Sequence, residues 1–328
     1  MSVEPVSPPE LESPFYRVGR TTMPMAFCTL GGLAILAALY AAFYDPWYMA
    51  RWSGYVLAGL VIEALYMLLS TGRLRLRSGS SAVTAAILVM TIPANMPAKP
   101  VLFALILAIV LARMPIARGG LHLNPALVGR LFLMIAYAED IVGWILPGMD
   151  ADAVTTATPI ELYHAEEFTY SLRDLLMGRI GGSWEGLYDM VPGGPGEAFA
   201  PVILLVGVLL YWRGIVAWRT GVAFVVAFAA SCAVMHEPVL FNVFSGAIVF
   251  SAVFIAGDPK TTPVSKGGQL AGGIIAGVVN AVIRKHTYYS EGIVFSFLIV
   301  CLLAPTLDRI ALWLRSRWLQ RRRLSVLN

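Results

Sequence analysis

Apolar runs recur along almost the whole chain, and they constrain its fold more than any motif does. They fall at about 25–43, 53–70, 81–95, 100–113, 123–138, 199–213, 220–235, 239–256, 267–283 and 292–312. A helix needs ~20 apolar residues to cross the hydrocarbon layer, where no water can satisfy an open backbone. Continuous runs of this kind therefore become packed helices. The chain is 58% hydrophobic and 13% charged, with a mean hydropathy of +0.73, which excludes an ordinary soluble domain. The expected fold is an all-α polytopic membrane protein with about ten transmembrane helices. Several runs are shorter than a span, and that at 81–95 ends at Pro93, so some helices should be broken or partial.

Arginine and lysine set the expected orientation. With the N-terminus inside, the inner side receives Arg17, Arg20, Arg73, Arg75, Arg77, Arg113, Arg118, Arg213, Arg219, Lys260, Lys266 and the arginines from Arg315 to Arg323. The outer side receives fewer: Arg51, Lys99, Arg173, Arg179, Arg284 and Lys285. The polar segment 139–198 then lies outside, in the periplasm of a double-membrane bacterium, and both termini are cytoplasmic. The first 24 residues are polar and Pro-rich and do not read as a cleavable signal. The basic C-terminus reads as an orientation anchor.

Other chemistries are argued against. The net charge of +4 reflects topology, so nucleic acid is not implied. Cys28, Cys232 and Cys301 lie far apart in apolar runs, without a CxxC, so no iron–sulfur cluster is expected in this chain. His122, His164, His236 and His286 show no ligand spacing, so no metal site is expected.

The outer segment carries Asp152-Ala153-Val154-Thr155-Thr156-Ala157-Thr158-Pro159. Thr158-Pro159-Ile160-Glu161 has the form of a capping box, with Thr at N-cap, Pro at N1 and Glu at N3. The same small, accessible stretch suits a threonine hydroxyl that accepts a phosphoryl group from FAD under a transferase. The readings are compatible, because a helix N-terminus favours phosphate. The stretch resembles the Asp-x-x-Ser/Thr-Gly-Ala-Thr flavin-attachment motif of the D subunit of Rnf complexes and the B subunit of the sodium-pumping NADH:quinone reductase. It departs where Thr156 replaces Gly. By this resemblance Thr158 carries covalent FMN as a flavin-phosphoryl threonine, with Asp152, Thr155 and Ala157 completing the motif.

The resemblance extends further. Gly193-Gly194-Pro195-Gly196-Glu197 matches the family's Gly-Ser-x-Gly-Glu, and Trp218-Arg219 its Trp-Arg pair. Leu123-Asn124-Pro125-Ala126 matches Phe-Asn-Pro-Ala, although Asn at N-cap with Pro at N1 also explains that triplet. The strongest part is 244–308, with Asp258-Pro259, Ile283-Arg284, Glu291-Gly292 and Leu303-Ala304-Pro305-Thr306-Leu307-Asp308.

An internal repeat is also visible. Pro93-x-x-x-Pro97 recurs as Pro259-x-x-x-Pro263, an offset of 166 residues, and Arg118 recurs as Arg284 at the same offset. Five helices per unit is an odd number, so the units should be inverted. Pro-interrupted segments in corresponding positions point to a midplane site, and 91–99 and 257–266 are expected to point toward one another. The chain divides into a tail (1–24), a first five-helix repeat (25–138), the flavin-bearing segment (139–198), a second five-helix repeat (199–312) and a basic tail (313–328). Glu63, mid-run in Val61-Ile62-Glu63-Ala64-Leu65, costs a few kcal/mol unless it faces a polar interior. Asp258, before Pro259, reads either as an Asx-turn or as part of an ion route. Glu63 and Asp258 are the candidates for a cation or proton pathway.

The resemblance implies a subunit of an ion-translocating electron-transfer complex in the bacterial inner membrane. It relays electrons through FMN, binds riboflavin noncovalently, and couples transfer to Na⁺ or H⁺. Implied partners are a periplasmic FMN-bearing subunit, iron–sulfur membrane subunits and a flavin transferase. No residue is assigned as catalytic. The alternatives are a non-redox solute or ammonia-type channel and a subunit passing electrons to quinone.

Overall fold

A computed structural model describes residues 22–72, 79–111, 123–142, 194–287 and 292–327. Among them every regular element is helical. In chain order these are α1 (Thr22–Phe43), α2 (Tyr48–Thr71), α3 (Ser80–Met90), α4 (Ala98–Leu111), α5 (Pro125–Ala136), α6 (Ala138–Val142), α7 (Ala200–Trp212), α8 (Trp218–Val234), α9 (Val239–Phe244), α10 (Ile248–Phe250), α11 (Lys266–His286) and α12 (Ile293–Leu327). Alpha10 runs directly into a π-helical turn, Ser251–Ile255. Four helices are long and apolar enough to cross a bilayer: α1, α2, α11 and α12. The shorter apolar helices α3, α4, α5, α7 and α8 complete the bundle. The chain is thus an all-α membrane protein.

Two short helices lie at the centre, and their neighbours close in through glycines. Alpha3 is buried from Ala85 to Met90. A Cβ on Gly59 of α2 would come within 2.9 Å of Ser81 O, and one on Gly129 of α5 within 3.0 Å of Leu88 Cδ2. The π turn is held likewise: a Cβ on Gly207 of α7 would meet Val253 at 2.8 Å, and one on Gly221 of α8 would meet Ala252 O at 2.3 Å. Small residues at such contacts let backbones approach where lipid offers no hydrophobic drive for association.

The apolar run at 239–256 reads as one helix but is broken. Alpha9 ends at Phe244, and Gly246 takes a φ of 69°, a conformation that suits glycine. Buried Arg284 of α11 explains the break. Its Nη1 donates to Asn242 O at 2.7 Å and its Nη2 to Ser245 O at 3.4 Å, so it satisfies carbonyls that the helix end exposes.

The basic C-terminal stretch is helical. Alpha12 continues without interruption through 35 residues, carrying the arginine-rich stretch as helix. Leucine, tryptophan, glutamine and arginine are all good or fair helix formers, and neither Gly nor Pro follows Pro305.

Candidate functional site

The interruption after the π turn builds one wall of the site. Ile255 O accepts from Asp258 N, and Ala256 N bonds back to Ser251 O at 2.7 Å, so the helix closes just before Asp258. The Asp258 carboxylate then folds the chain over itself. It accepts from Lys260 N at 3.0 Å and from the Thr261 hydroxyl at 3.1 Å. This is the Asx-turn that an Asp before Pro favours.

The opposite wall begins at Asn124. Its side chain accepts from Ala126 N at 3.0 Å and Leu127 N at 3.4 Å, which caps α5, with Pro125 in the first turn. Its amide also donates, at a long 3.5 Å, to Thr261 Oγ1. A chain of hydrogen bonds therefore runs from Asn124 to Thr261 to Asp258. It ties a helix start in one half of the sequence to a helix break in the other.

A cavity of ≈ 370 Å³ opens beside this chain. Its lining includes Asn124, Asp258, Lys260 and Thr261, with Ile87 and Phe254 among its apolar walls. The volume lies within the ~300–1,000 Å³ typical of small-ligand pockets, which likewise combine an apolar body with a few convergent polar groups.

The expected meeting of the two Pro-interrupted segments does not occur. Asp258 and Pro259 share the cavity with Ser80 and Thr84, at the start of α3. The first interruption follows Met90, at the other end of α3 and about 15 Å away by helical rise. A Cβ on Gly196 would touch both Met90 O and Phe250, so the end of α3 lies beside the start of the second short helix. The two short helices are antiparallel, and each interruption lies at its own end. Both are buried, as Thr91, Ile92, Thr261 and Thr262 show. The antiparallel course of the two short helices keeps the two breaks apart.

Glu63 is 1% exposed, on a helix whose other faces carry Leu57, Val61, Leu65 and Leu69 outward. It lies one turn beyond Gly59, on the stripe that packs against α3. Its burial agrees with the interior position required of a carboxylate there. It does not line the cavity, so the structure does not bring Glu63 and Asp258 to one wall. Asp152, Thr155, Ala157 and Thr158 lie outside the described residues, as does most of the segment 139–198.

Sequence reasoning missed two residues. Asp308 of α12 accepts from Val264 N at 3.0 Å, Ser265 N at 2.8 Å and Ser265 Oγ at 2.5 Å, holding the start of α11 against the end of the interruption. Gly196 donates its N–H to Met90 O at 2.7 Å, anchoring the entry to α7 on the end of α3. Both sit in stretches the resemblance had singled out, but their partners are far away in sequence.

The family described as the NQR2, RnfD, RnfE family matches residues 11–312. The chain belongs to it. Within this family, the chain is 28% identical over 284 residues to the D subunit of the Na(+)-translocating ferredoxin:NAD(+) oxidoreductase complex of Acetobacterium woodii, covering 84% of this chain and 86% of the relative. It is 29% identical over 318 residues to the D subunit of the ion-translocating oxidoreductase complex of Alcanivorax borkumensis, covering 86% and 87%. It is 25% identical over 264 residues to the D subunit of the proton-translocating ferredoxin:NAD(+) oxidoreductase complex of Clostridium ljungdahlii, covering 77% and 79%. The family match thus spans both walls of the cavity, Asn124 and Asp258 included, and reaches past Asp308.

Proposed function

We propose that this chain is the D-type membrane subunit of an Rnf-type oxidoreductase complex, carrying flavin and coupling electron transfer to Na⁺ or H⁺ movement. Kinship over most of the chain to subunits so named supports the redox class. The observation that carries the coupling is the Asn124–Thr261–Asp258 chain beside the cavity. The solute-channel alternative shares the broken helices but not this kinship. The other subunits of the complex and a flavin transferase are the expected partners.

The scaffold is read as two inverted five-helix units in a ten-helix membrane body. The 166-residue offset of Pro93 and Pro259 supports this. The same shift carries α3 onto 246–256, where α10 and the π turn run, and α5 onto 291–302, where α12 begins. Basic residues support an inner cavity end, since Arg213, Arg219, Lys260 and Lys266 all fall at or near the helix ends on that side. At the opposite end Arg51 pairs with Asp45, and Lys285 with Glu237 at 3.3 Å.

Flavin is assigned to two places, covalent FMN on Thr158 of the outer segment and noncovalent riboflavin in the cavity. The cavity residues fit the second. A flavin ring has two broad apolar faces and one edge of alternating donors and acceptors. Ile87 and Phe254 supply apolar wall, while the Asn124 amide, the Thr261 hydroxyl and Lys260 supply polar partners at one side. When bound, flavin supplies one- and two-electron redox chemistry; the protein's own share is position and polarity.

Asp258 would hold the ion. A helix C-terminus carries partial negative charge, and a carboxylate three residues beyond Ile255 adds to it. A cation or proton shared with this site relieves the repulsion, as at half-helix ends in transporters. Glu63, buried on α2, is assigned a second position on the ion route.

The test is direct. The purified chain, denatured in acid and run on a gel, should fluoresce as a flavin, and the Thr158→Val chain should not. Equal fluorescence in the two would refute the attachment site. A colourless wild-type chain made alongside a flavin transferase would refute covalent flavin altogether.

A further inference from the structure

Tryptophan and arginine stand together repeatedly at the cavity end of the second half. Trp212 precedes Arg213 and is 79% exposed. Arg219 lies over the Trp218 ring at 5.1 Å, and Arg317 over Trp313 at 4.5 Å. Trp313 and Trp318 are each 52% exposed. Hydrogen bonds show that these groups share one end of the bundle. Ala217 N donates to Gly257 O at 3.1 Å, joining the turn between α7 and α8 to the interruption. Asp308 binds the far side of the same interruption through Val264 N and Ser265 N.

Helical rise gives the depth. With Ile293 at one edge of a hydrocarbon layer ~30 Å thick, the other edge falls near Trp313. Arg315 and Arg317 then stand ~3–6 Å beyond it, at the level of lipid phosphates. Arg321, Arg322 and Arg323 follow about one Debye length farther out, at roughly 8 Å. No acidic residue follows Asp308. At about 100° per residue, the five arginine positions fall on all sides of the shaft. A protein partner would cover one face, whereas lipid headgroups surround a helix. Exposed indole rings paired with guanidinium groups suit a boundary that is apolar on one side and anionic on the other.

We propose that the end of α12, with the Trp212–Arg219 turn beside it, forms a collar that binds anionic phospholipid headgroups and draws them around this end of the protein. Arg219, Arg315 and Arg317 would pair with phosphates while the tryptophans sit at the acyl boundary. The proposal is independent of the flavin reading.

The full chain, or the complex that contains it, is reconstituted in phosphatidylcholine bilayers with trace spin-labelled phosphatidylglycerol or spin-labelled phosphatidylcholine. The motionally restricted fractions give their relative association. Wild type should prefer phosphatidylglycerol by about fivefold per engaged arginine at low salt. The preference should fade in ~1 M NaCl, where the Debye length is ~3 Å. Substituting all five arginines (R315Q, R317Q, R321Q, R322Q, R323Q) should remove most of it, whereas lysine at the same positions should keep most of it. No preference in wild type, or an unchanged one in the glutamine variant, would overturn the proposal. Loss of another subunit from the glutamine variant with lipid preference intact would assign the collar to a protein and overturn it equally.

Discussion

Replacing Gly196 by alanine puts one methyl group where the two short helices meet. The backbone conformation permits alanine there; the space does not. The added Cβ would lie 2.8 Å from Met90 O and 3.2 Å from both Cγ and Cδ2 of Phe250. Relief requires a shift of about 0.5 Å at a carbonyl that already accepts the Gly196 N–H at 2.7 Å. Overpacking of this kind costs ~1–3 kcal/mol, and a weakened buried hydrogen bond adds ~0.5–1.5 kcal/mol. Gly196→Ala should therefore destabilise the chain by about 2–4 kcal/mol. Gly31 provides the control, since it lies in α1 with nothing within 4 Å of its added Cβ. There alanine should be neutral or stabilising by up to ~1 kcal/mol, from helix propensity alone. Thermal unfolding in detergent, followed by the reactivity of the buried thiols of Cys232 and Cys301, reads both variants on one scale. A Gly196→Ala chain that melts at or above wild type would show that the entry to α7 is not wedged between the short helices.

Three further outcomes are expected. Asp308→Ala removes the acceptor for two backbone N–H groups and the Ser265 hydroxyl, and should cost about 2–4 kcal/mol in the same assay. Asp258→Asn keeps an oxygen for Lys260 N, so stability should change little, while Na⁺- or H⁺-coupled transport by the complex in vesicles falls; unchanged coupling would remove Asp258 from the ion route. Asn124→Ala should lose about 1 kcal/mol as a missing cap, while Asn124→Asp restores the cap but not the amide donor to Thr261. Comparing acid-releasable flavin in these two variants separates the cap from the cavity contact.

Several elements were legible from local pattern alone. The Asn-Pro pair marked the start of α5, and Pro93 marked a helix that stops short of a span, because capping and proline chemistry act within a few residues. Burial of Glu63 was legible too, since a lone carboxylate in an apolar run has few places to go. Other features were not. The run at 239–256 carries no proline, and Gly246 alone is too weak a local signal to announce its break. The bend exists because Arg284, some forty residues later, offers donors to the carbonyls of Asn242 and Ser245. The helical conformation of the basic terminus was not legible either, because charge patterning reports side of membrane, not backbone conformation.

Taken alone, the chain's order of residues determined its solvent, its helical class and its family, since each depends on composition, on runs of one length or on short matched motifs. Tertiary structure decided which distant residues share a wall. Asn124 reaches Thr261 across 137 positions, and Asp308 reaches Ser265 across 43. Such pairings arise when antiparallel short helices are clasped by neighbours whose glycines allow close approach. No local pattern records them, because the contact energy belongs to two segments that the chain itself keeps apart.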